Sequence, residues 1–245
     1  MSLPDFLPWA AVSVGIFAGA IVSGLVGFAF SAVAGSILLH LLAPVEAVPL
    51  MMACSTVTQV ISLVALRGTV KWNGNLLLIA SGMIGVFPAL YLLRHVETET
   101  FRLGFGIFLA LYAGFMLFRP AVAKRGVEPG YVRQFAVGFG GGLIGGLTAM
   151  PGALPTMWCD LRGLSKERQR AIVQPYITTL QVFALAVMAS RGGLSRDLAL
   201  QLVLYLPALA AGAWLGIAIF RKINHLLFRR LVLALLLVSG LVLIA

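Results

Sequence analysis

The sequence predicts an all-α polytopic membrane protein with two inverted repeats, each a broken or re-entrant helical hairpin plus three transmembrane helices. The 245 residues are 60% hydrophobic and only 11% charged, which leaves too little charge for the surface of a soluble domain. The apolar residues form continuous segments of roughly 20 residues, the length of a membrane-crossing helix. Continuous segments also differ from the alternating pattern of transmembrane strands.

A duplication relates the two halves of the chain at a constant offset of 122 residues. Residues 17–63 recur as 139–185. Such a duplication in an apolar chain is typical of transporters built from two repeats around a central site. We therefore predict a first transmembrane repeat (1–118), a linker (119–133) and a second transmembrane repeat (134–245). Positions of the first copy that are identical in the second include Phe17, Gly19, Gly24, Leu25, Leu39, Thr56, Gln59, Val60 and Leu63.

The distribution of Lys and Arg indicates how the first apolar block of each half is arranged. If each block is a hairpin, its ends emerge on one side and the two repeats are inverted. The inner loops, with the linker cytoplasmic, then hold 14 basic residues, including Arg162, Lys166, Arg168 and Arg170, and the outer loops hold 4. Single crossings would give 8 inside and 10 outside. The positive-inside rule therefore favours the inverted arrangement, but it does not separate a re-entrant hairpin from two short crossings.

Each hairpin contains a break that we expect near the bilayer centre, with the returning helices beginning around Phe28–Ser31 and Met150–Ala153. A helix start offers unpaired backbone N–H groups and partial positive charge, so two facing starts would bind a small anion. Gly27 and Gly152 would let the backbone approach that ligand. The alternative is that these glycines only permit tight helix packing.

Polar side chains occupy matching positions on the helices that follow the hairpins. Thr56 and Gln59 share one helix face, which Ser62 continues, and Gln174, Thr178 and Gln181 share the equivalent face of the second copy. An amide in a hydrocarbon interior needs hydrogen-bonding partners. We expect the two glutamine amides to complete the coordination of an oxyanion, and the alternative is that they only join helices.

Signatures of other protein classes do not occur in the sequence. We expect no catalytic residue, no metal site and no cofactor, because the three histidines are dispersed and no HExxH, GxSxG or Walker motif occurs. The basic residues lie at segment ends, so no nucleic acid partner is expected. The expected partners are a small anionic substrate and the lipid bilayer, and the sequence leaves open whether copies form a homo-oligomer.

Three segments resemble the sulfite exporter TauE/SafE family of small bacterial membrane transporters. They are GAIVSGLVGFAFS, GGGLIGGLTAMPGALP and RGLSKERQRA, and the last, at Arg162–Ala171, is the most specific. The resemblance implies export or exchange of small sulfur-containing anions, such as sulfite or organosulfonates, across the bacterial plasma (inner) membrane. We expect a secondary transporter working by alternating access, and the alternative is a channel-like facilitator for small anions.

Overall fold

A computed structural model of the chain describes residues 3–65, 76–118, 130–194, 196–222 and 225–245. Within these ranges the chain forms ten α-helices. In the first half they are α1 Leu3–Val26, α2 Phe30–Leu41, α3 Pro44–Ala65, α4 Leu76–Leu93 and α5 Thr98–Phe118. In the second half they are α6 Tyr131–Thr148, α7 Ala153–Leu161, α8 Lys166–Ser190, α9 Arg196–Lys222 and α10 His225–Ile244. Arg67, Lys71 and linker residues 119–129 lie outside the described residues.

Among the described helices, α3, α4, α5, α8 and α9 are long and apolar enough to cross a membrane. Their apolar spans run from 18 to 26 residues, against the roughly 20 that a bilayer requires. Shorter apolar helices cover Ala10–Val26, Phe30–Leu41 and Leu233–Ile244. The polytopic, all-helical membrane fold that the sequence predicts is therefore confirmed.

The first two helices of each half form the two hairpins, α1–α2 and α6–α7. Their first arms end at equivalent positions of the duplication, Val26 and Thr148. The return arms α2 and α7 have only 12 and 9 residues. At about 1.5 Å per residue, both are much shorter than the roughly 30 Å hydrocarbon core. These lengths favour return arms that stay within one part of the bilayer over two full crossings.

Each hairpin packs against a helix of the other half of the chain. α1 lies along α9, α6 lies along α4, and the last helices α5 and α10 pack together. Glycines permit the close approach, since a Cβ on Gly216 would collide with the carbonyl of Ile21, and one on Gly142 with that of Gly82. These pairings are unchanged when the halves are exchanged, as expected for two copies of one unit. The opposite orientation of the copies in the bilayer stays a prediction.

One helix begins earlier than the sequence predicts. The charge pattern places the basic residues from Arg162 to Arg170 in an inner loop, but α8 starts at Lys166, where the Ser165 side chain accepts a hydrogen bond from the backbone of Arg168. Arg170 therefore lies in the helix, and only 7% of it is exposed. Its assignment to the solvated inner loop is wrong, because the serine cap extends the helix through the basic run.

Candidate functional site

The two breaks lie against each other inside the protein. A Cβ built on Gly152 would lie 2.6 Å from the Cβ of Phe28. The Ser31 hydroxyl, at the start of α2, donates a hydrogen bond of 2.7 Å to the carbonyl of Ala149 in the second break. Phe28, Ser31 and Met150 are buried. The structure thus brings together the predicted residues of the two breaks, and they are covered by protein.

Equivalent residues open the two breaks in a left-handed backbone conformation. Gly27 has a φ of +90° and Ala149, 122 positions later, has a φ of +56°. Helices commonly end at such a residue, usually glycine, and an alanine there is strained. The left-handed residue turns the chain away from the helix axis. Its own carbonyl then needs a hydrogen-bond donor from elsewhere in the protein.

Equivalent glutamines supply that donor. Gln59 Nε2 donates to the carbonyl of Gly27 over 2.6 Å, and Gln181 Nε2 donates to the carbonyl of Ala149 over 3.2 Å. Gln181 Nε2 also donates to Ser55 Oγ at 2.9 Å. Both glutamines therefore lie at the breaks, as predicted, but these donors bind the backbone. The amide oxygens have no hydrogen-bond partner in the described part of the chain, and a role in anion binding stays a prediction.

Thr56 and Thr178 lie on the two helices but do not reach the breaks. Each hydroxyl donates to the carbonyl four residues earlier in its own helix, Met52 at 2.7 Å and Gln174 at 2.9 Å. Both side chains are only partly buried. The structure therefore separates the threonines from the glutamines with which the sequence grouped them.

Two other polar residues of α3, Ser55 and Thr58, face the neighbouring helices α8 and α1 instead. Ser55 accepts the hydrogen bond from Gln181, and Thr58 Oγ1 lies 2.9 Å from Ser23 Oγ of α1. Their equivalents in the second copy are Ile177 and Leu180, so the identities between the copies did not reveal them. The signal that finds Ser55 is the helical spacing of Ser55, Gln59 and Ser62, which places all three on one buried face.

Gly152 and Ala153 start the second return arm, and their surroundings are apolar. A Cβ on Gly152 would meet Ile177 at 2.5 Å as well as Phe28. Ala153 is completely buried. The space beside Gly152 is thus filled by side chains, which fits the packing alternative at this glycine. Among the residues that the structure describes, no side chain caps the start of either return arm, at Ala29 or at Gly152.

Arg170 is the residue of this region that sequence reasoning missed. Its Nη2 donates to the carbonyls of Gly24 at 2.7 Å and Leu25 at 2.9 Å, in the last turn of α1. The guanidinium lies 3.8 Å from the centroid of the Phe220 ring. A cation is favourable at the C-terminal end of a helix. The available signal is the spacing of Arg170, Gln174 and Gln181, which places them on one face of α8.

A small polar space lies beside Gly27. A Cβ on Gly27 would lie 3.4 Å from Arg170 Nε and 3.6 Å from Gln174 Nε2. Gln174 is 1% exposed. Within the described residues, neither its amide nor the Nε and Nη1 atoms of Arg170 have a hydrogen-bond partner. Apolar side chains fill the space beside Gly152, whereas nitrogen donors converge beside Gly27.

A family comparison now identifies the class of this molecule. The family model described as sulfite exporter TauE/SafE matches residues 11–243, nearly the whole chain. The chain belongs to this family. No curated protein and no solved structure shows significant similarity to it. Membership of TauE/SafE makes the chain a multi-pass membrane transporter of the sulfite-exporter type, which is a class of transporters and not of enzymes.

In this TauE/SafE chain a second feature lies at the far end of α8. A cavity of about 260 Å³ is lined by the ends of α3, α4 and α8, with the exposed Arg94 and Arg191 at its rim. Met188 lines the cavity and lies on the α8 face that carries Gln181 and Gln174. One face of α8 therefore joins a positively charged cavity to the two breaks.

Proposed function

We propose that the protein is a secondary transporter that exports small sulfur-containing anions, such as sulfite or organosulfonates, by alternating access. The TauE/SafE match supports the class of substrate. The observation that carries the mechanism is the contact between the breaks, Phe28 with Gly152 and Ser31 with Ala149. Because the breaks belong to different halves, relative movement of the halves would open or close this contact.

The proposed site lies between the breaks, with the two glutamines beside them. Its members are the predicted residues Gly27, Phe28, Ser31, Gln59, Met150, Gly152, Ala153 and Gln181. Thr56 and Thr178 would shape its flanks, because their hydroxyls are bonded within their own helices. The anion would be held by N–H donors in a site from which lipid is excluded.

The proposed location is the bacterial inner membrane, with the linker in the cytoplasm. Without Arg170, the inner loops would still hold far more basic residues than the outer loops, which supports this orientation. The cavity with Arg94 and Arg191 would then face outward. Its positive charge would favour the encounter with anions at that side.

A channel-like facilitator remains the second candidate, and flux measurements separate the two. Purified protein in proteoliposomes should show saturable uptake of radiolabelled sulfite and counterflow driven by trapped sulfite. Conductance that rises linearly with concentration would support the facilitator instead. If sulfite, sulfate, thiosulfate, sulfoacetate and taurine all move no faster than in protein-free liposomes, the transport proposal fails.

A further inference from the structure

We infer that Arg170 and Gln174 form the charge-recognising part of the anion site, in the space beside Gly27 at the first break. The inference rests on the proposed function and adds residues to the site that the repeat pattern does not contain. The ligand class is a compact oxyanion, whose oxygens would accept hydrogen bonds from Arg170 Nε or Nη1 and from Gln174 Nε2.

The first argument is the cost of burying Arg170. Its guanidinium is 7% exposed, and the hydrogen bonds it makes among the described residues go to carbonyl oxygens. A guanidinium has five N–H donors, and the three on Nε and Nη1 are unused in the described part of the chain. A buried charge is costly unless it is paired, so this arrangement is completed by a negatively charged ligand.

The second argument is the convergence of donors on one small space. Arg170 Nε and Gln174 Nε2 lie 3.4 Å and 3.6 Å from the position that a Cβ of Gly27 would occupy. Both nitrogens therefore lie on the same side of Gly27 and within 3.6 Å of one point, so a single oxyanion located on that side, farther from the Gly27 backbone than this point, would be able to contact both donors. Any side chain at residue 27 would fill the space, and its φ of +90° also disfavours one.

A purely structural role does not account for both side chains. Capping of α1 uses only Nη2 of Arg170. Gln174 makes no side-chain hydrogen bond within the described residues although it is 1% exposed. The equivalent position of the first copy is Met52, an apolar residue of similar length that is also buried. The helical repeat therefore accommodates an apolar side chain here, and the amide has a function that packing does not require.

The substitution Gln174→Met tests this inference with little disturbance of the fold. It gives the second copy the residue that the first copy has at this position. We expect the melting temperature without anions to stay within the error of wild type. The KM for sulfite uptake should rise about ten-fold, the effect of losing one hydrogen bond to a charged group.

Gln201→Met is the matched control. It makes the same change at a partly buried glutamine of α9, 19 residues from Phe220 and thus roughly 28 Å along the helix. Its KM should equal that of wild type. A normal KM in Gln174→Met would overturn the inference, as would an equal increase in both variants.

A second variant, Gln174→Glu, places a carboxylate in the proposed anion position. The new charge would compensate Arg170, so the protein should be at least as stable as wild type. Sulfite and sulfate, added at increasing concentration to purified protein, should raise the melting temperature of wild type but not of this variant. The inference fails if the anions stabilise the variant as they stabilise wild type.

The two readouts distinguish failure of this inference from failure of the proposed function. If sulfite stabilises wild-type protein but not Gln174→Glu, and wild-type protein transports none of the tested anions, only the proposed function is contradicted. If wild-type protein transports the anions and both Gln174 variants transport them with the same kinetics, only the inference is contradicted. Wild-type protein that neither binds nor transports the anions would contradict both.

Discussion

At the scale of single residues, the two glutamines have a structural task that explains their matching positions. Gly27 and Ala149 end their helices with positive φ, and each carbonyl accepts a hydrogen bond from the glutamine of its own copy. An unpaired carbonyl in the apolar interior of a membrane protein is costly. The glutamines therefore stabilise the broken conformation of the hairpins, whatever else they bind.

Removing either glutamine takes a hydrogen-bond donor away from a buried polar group, which gives a prediction. The carbonyl of Ala149 also accepts a hydrogen bond from Ser31. The carbonyl of Gly27 accepts one from Gln59, which is the donor seen among the described residues. Gln59→Leu should therefore lower the free energy of unfolding by about 1–3 kcal/mol, the cost of an unsatisfied buried group. Gln181→Leu should cost a similar amount, because Ser31 still donates to the carbonyl of Ala149 but the buried Ser55 hydroxyl loses the donor seen among the described residues. Chemical unfolding in detergent measures both values, and unchanged stability in either variant would contradict this account.

Identity between the two copies predicted only part of the candidate site. It found Gln59 and Gln181 because both copies need the same carbonyl donor. It missed Arg170 and Gln174, since the equivalent residues Val48 and Met52 are apolar. In our proposal the anion is held at one break only, so the residues that would bind it there have no counterpart in the other copy.

At the scale of helices, small residues determine which elements can pack together. The α4–α6 and α1–α9 interfaces bring backbone into contact with backbone at Gly142 and Gly216. Between membrane helices, close approach supplies dispersion contacts in place of a hydrophobic driving force. The glycines at these two interfaces thus let each hairpin pack closely against the opposite half.

The same substitution at two glycines tests this role. Gly142→Ala places a Cβ against the carbonyl of Gly82, whereas Gly104→Ala, on an exposed part of α5, meets nothing within 4 Å. Gly142→Ala should destabilise the protein by about 1–3 kcal/mol through overpacking. Gly104→Ala should be neutral or stabilise it by up to about 1 kcal/mol through helix propensity. Unfolding midpoints and gel-filtration profiles of the detergent-solubilised variants measure this, and equal stabilities would contradict the packing role.

Most helices could be predicted because hydrophobic length alone defines them in a membrane protein. The start of α8 could not, because Lys166, Arg168 and Arg170 resemble a solvated loop in composition. The serine cap at Ser165 and the carbonyls at the end of α1 make this segment helical and draw Arg170 into the protein. Contacts between helices, which sequence periodicity does not contain, decided this element.

At the scale of the whole molecule, the two copies pack around a shared centre. Each hairpin packs on the other half, and the breaks meet between α3 and α8, which also pack together. The α8 face that passes the breaks leads to the cavity at Arg94 and Arg191. The two breaks thus form one central region that both halves share, and the cavity lies farther along the same face of α8.

The proposed orientation predicts which surfaces are accessible from each side. In a variant with Cys54 and Cys159 replaced by alanine, single cysteines replace Arg191 and Arg168, which are both exposed. A membrane-impermeant maleimide added to intact spheroplasts should label the cysteine at position 191 from the outside. It should label the cysteine at position 168 only after the membrane is permeabilised. The reverse pattern, with position 168 labelled from the outside and position 191 only after permeabilisation, is what single crossings of the first blocks would give, and it would contradict the inverted arrangement.

Contact between the two breaks inside the native membrane is the most direct test of the whole account. Phe28→Cys and Gly152→Cys are combined in the same cysteine-free background, with a protease site inserted in the linker. After oxidation with iodine and cleavage, the two halves should migrate together on a non-reducing gel and separate after reduction. A control pair that also spans the two halves, Gly104→Cys with Gly152→Cys, should yield separate halves, because a Cβ on Gly104 meets no described atom within 4 Å. If oxidation is complete and the halves of the Phe28→Cys, Gly152→Cys variant still separate on the non-reducing gel, the account is contradicted.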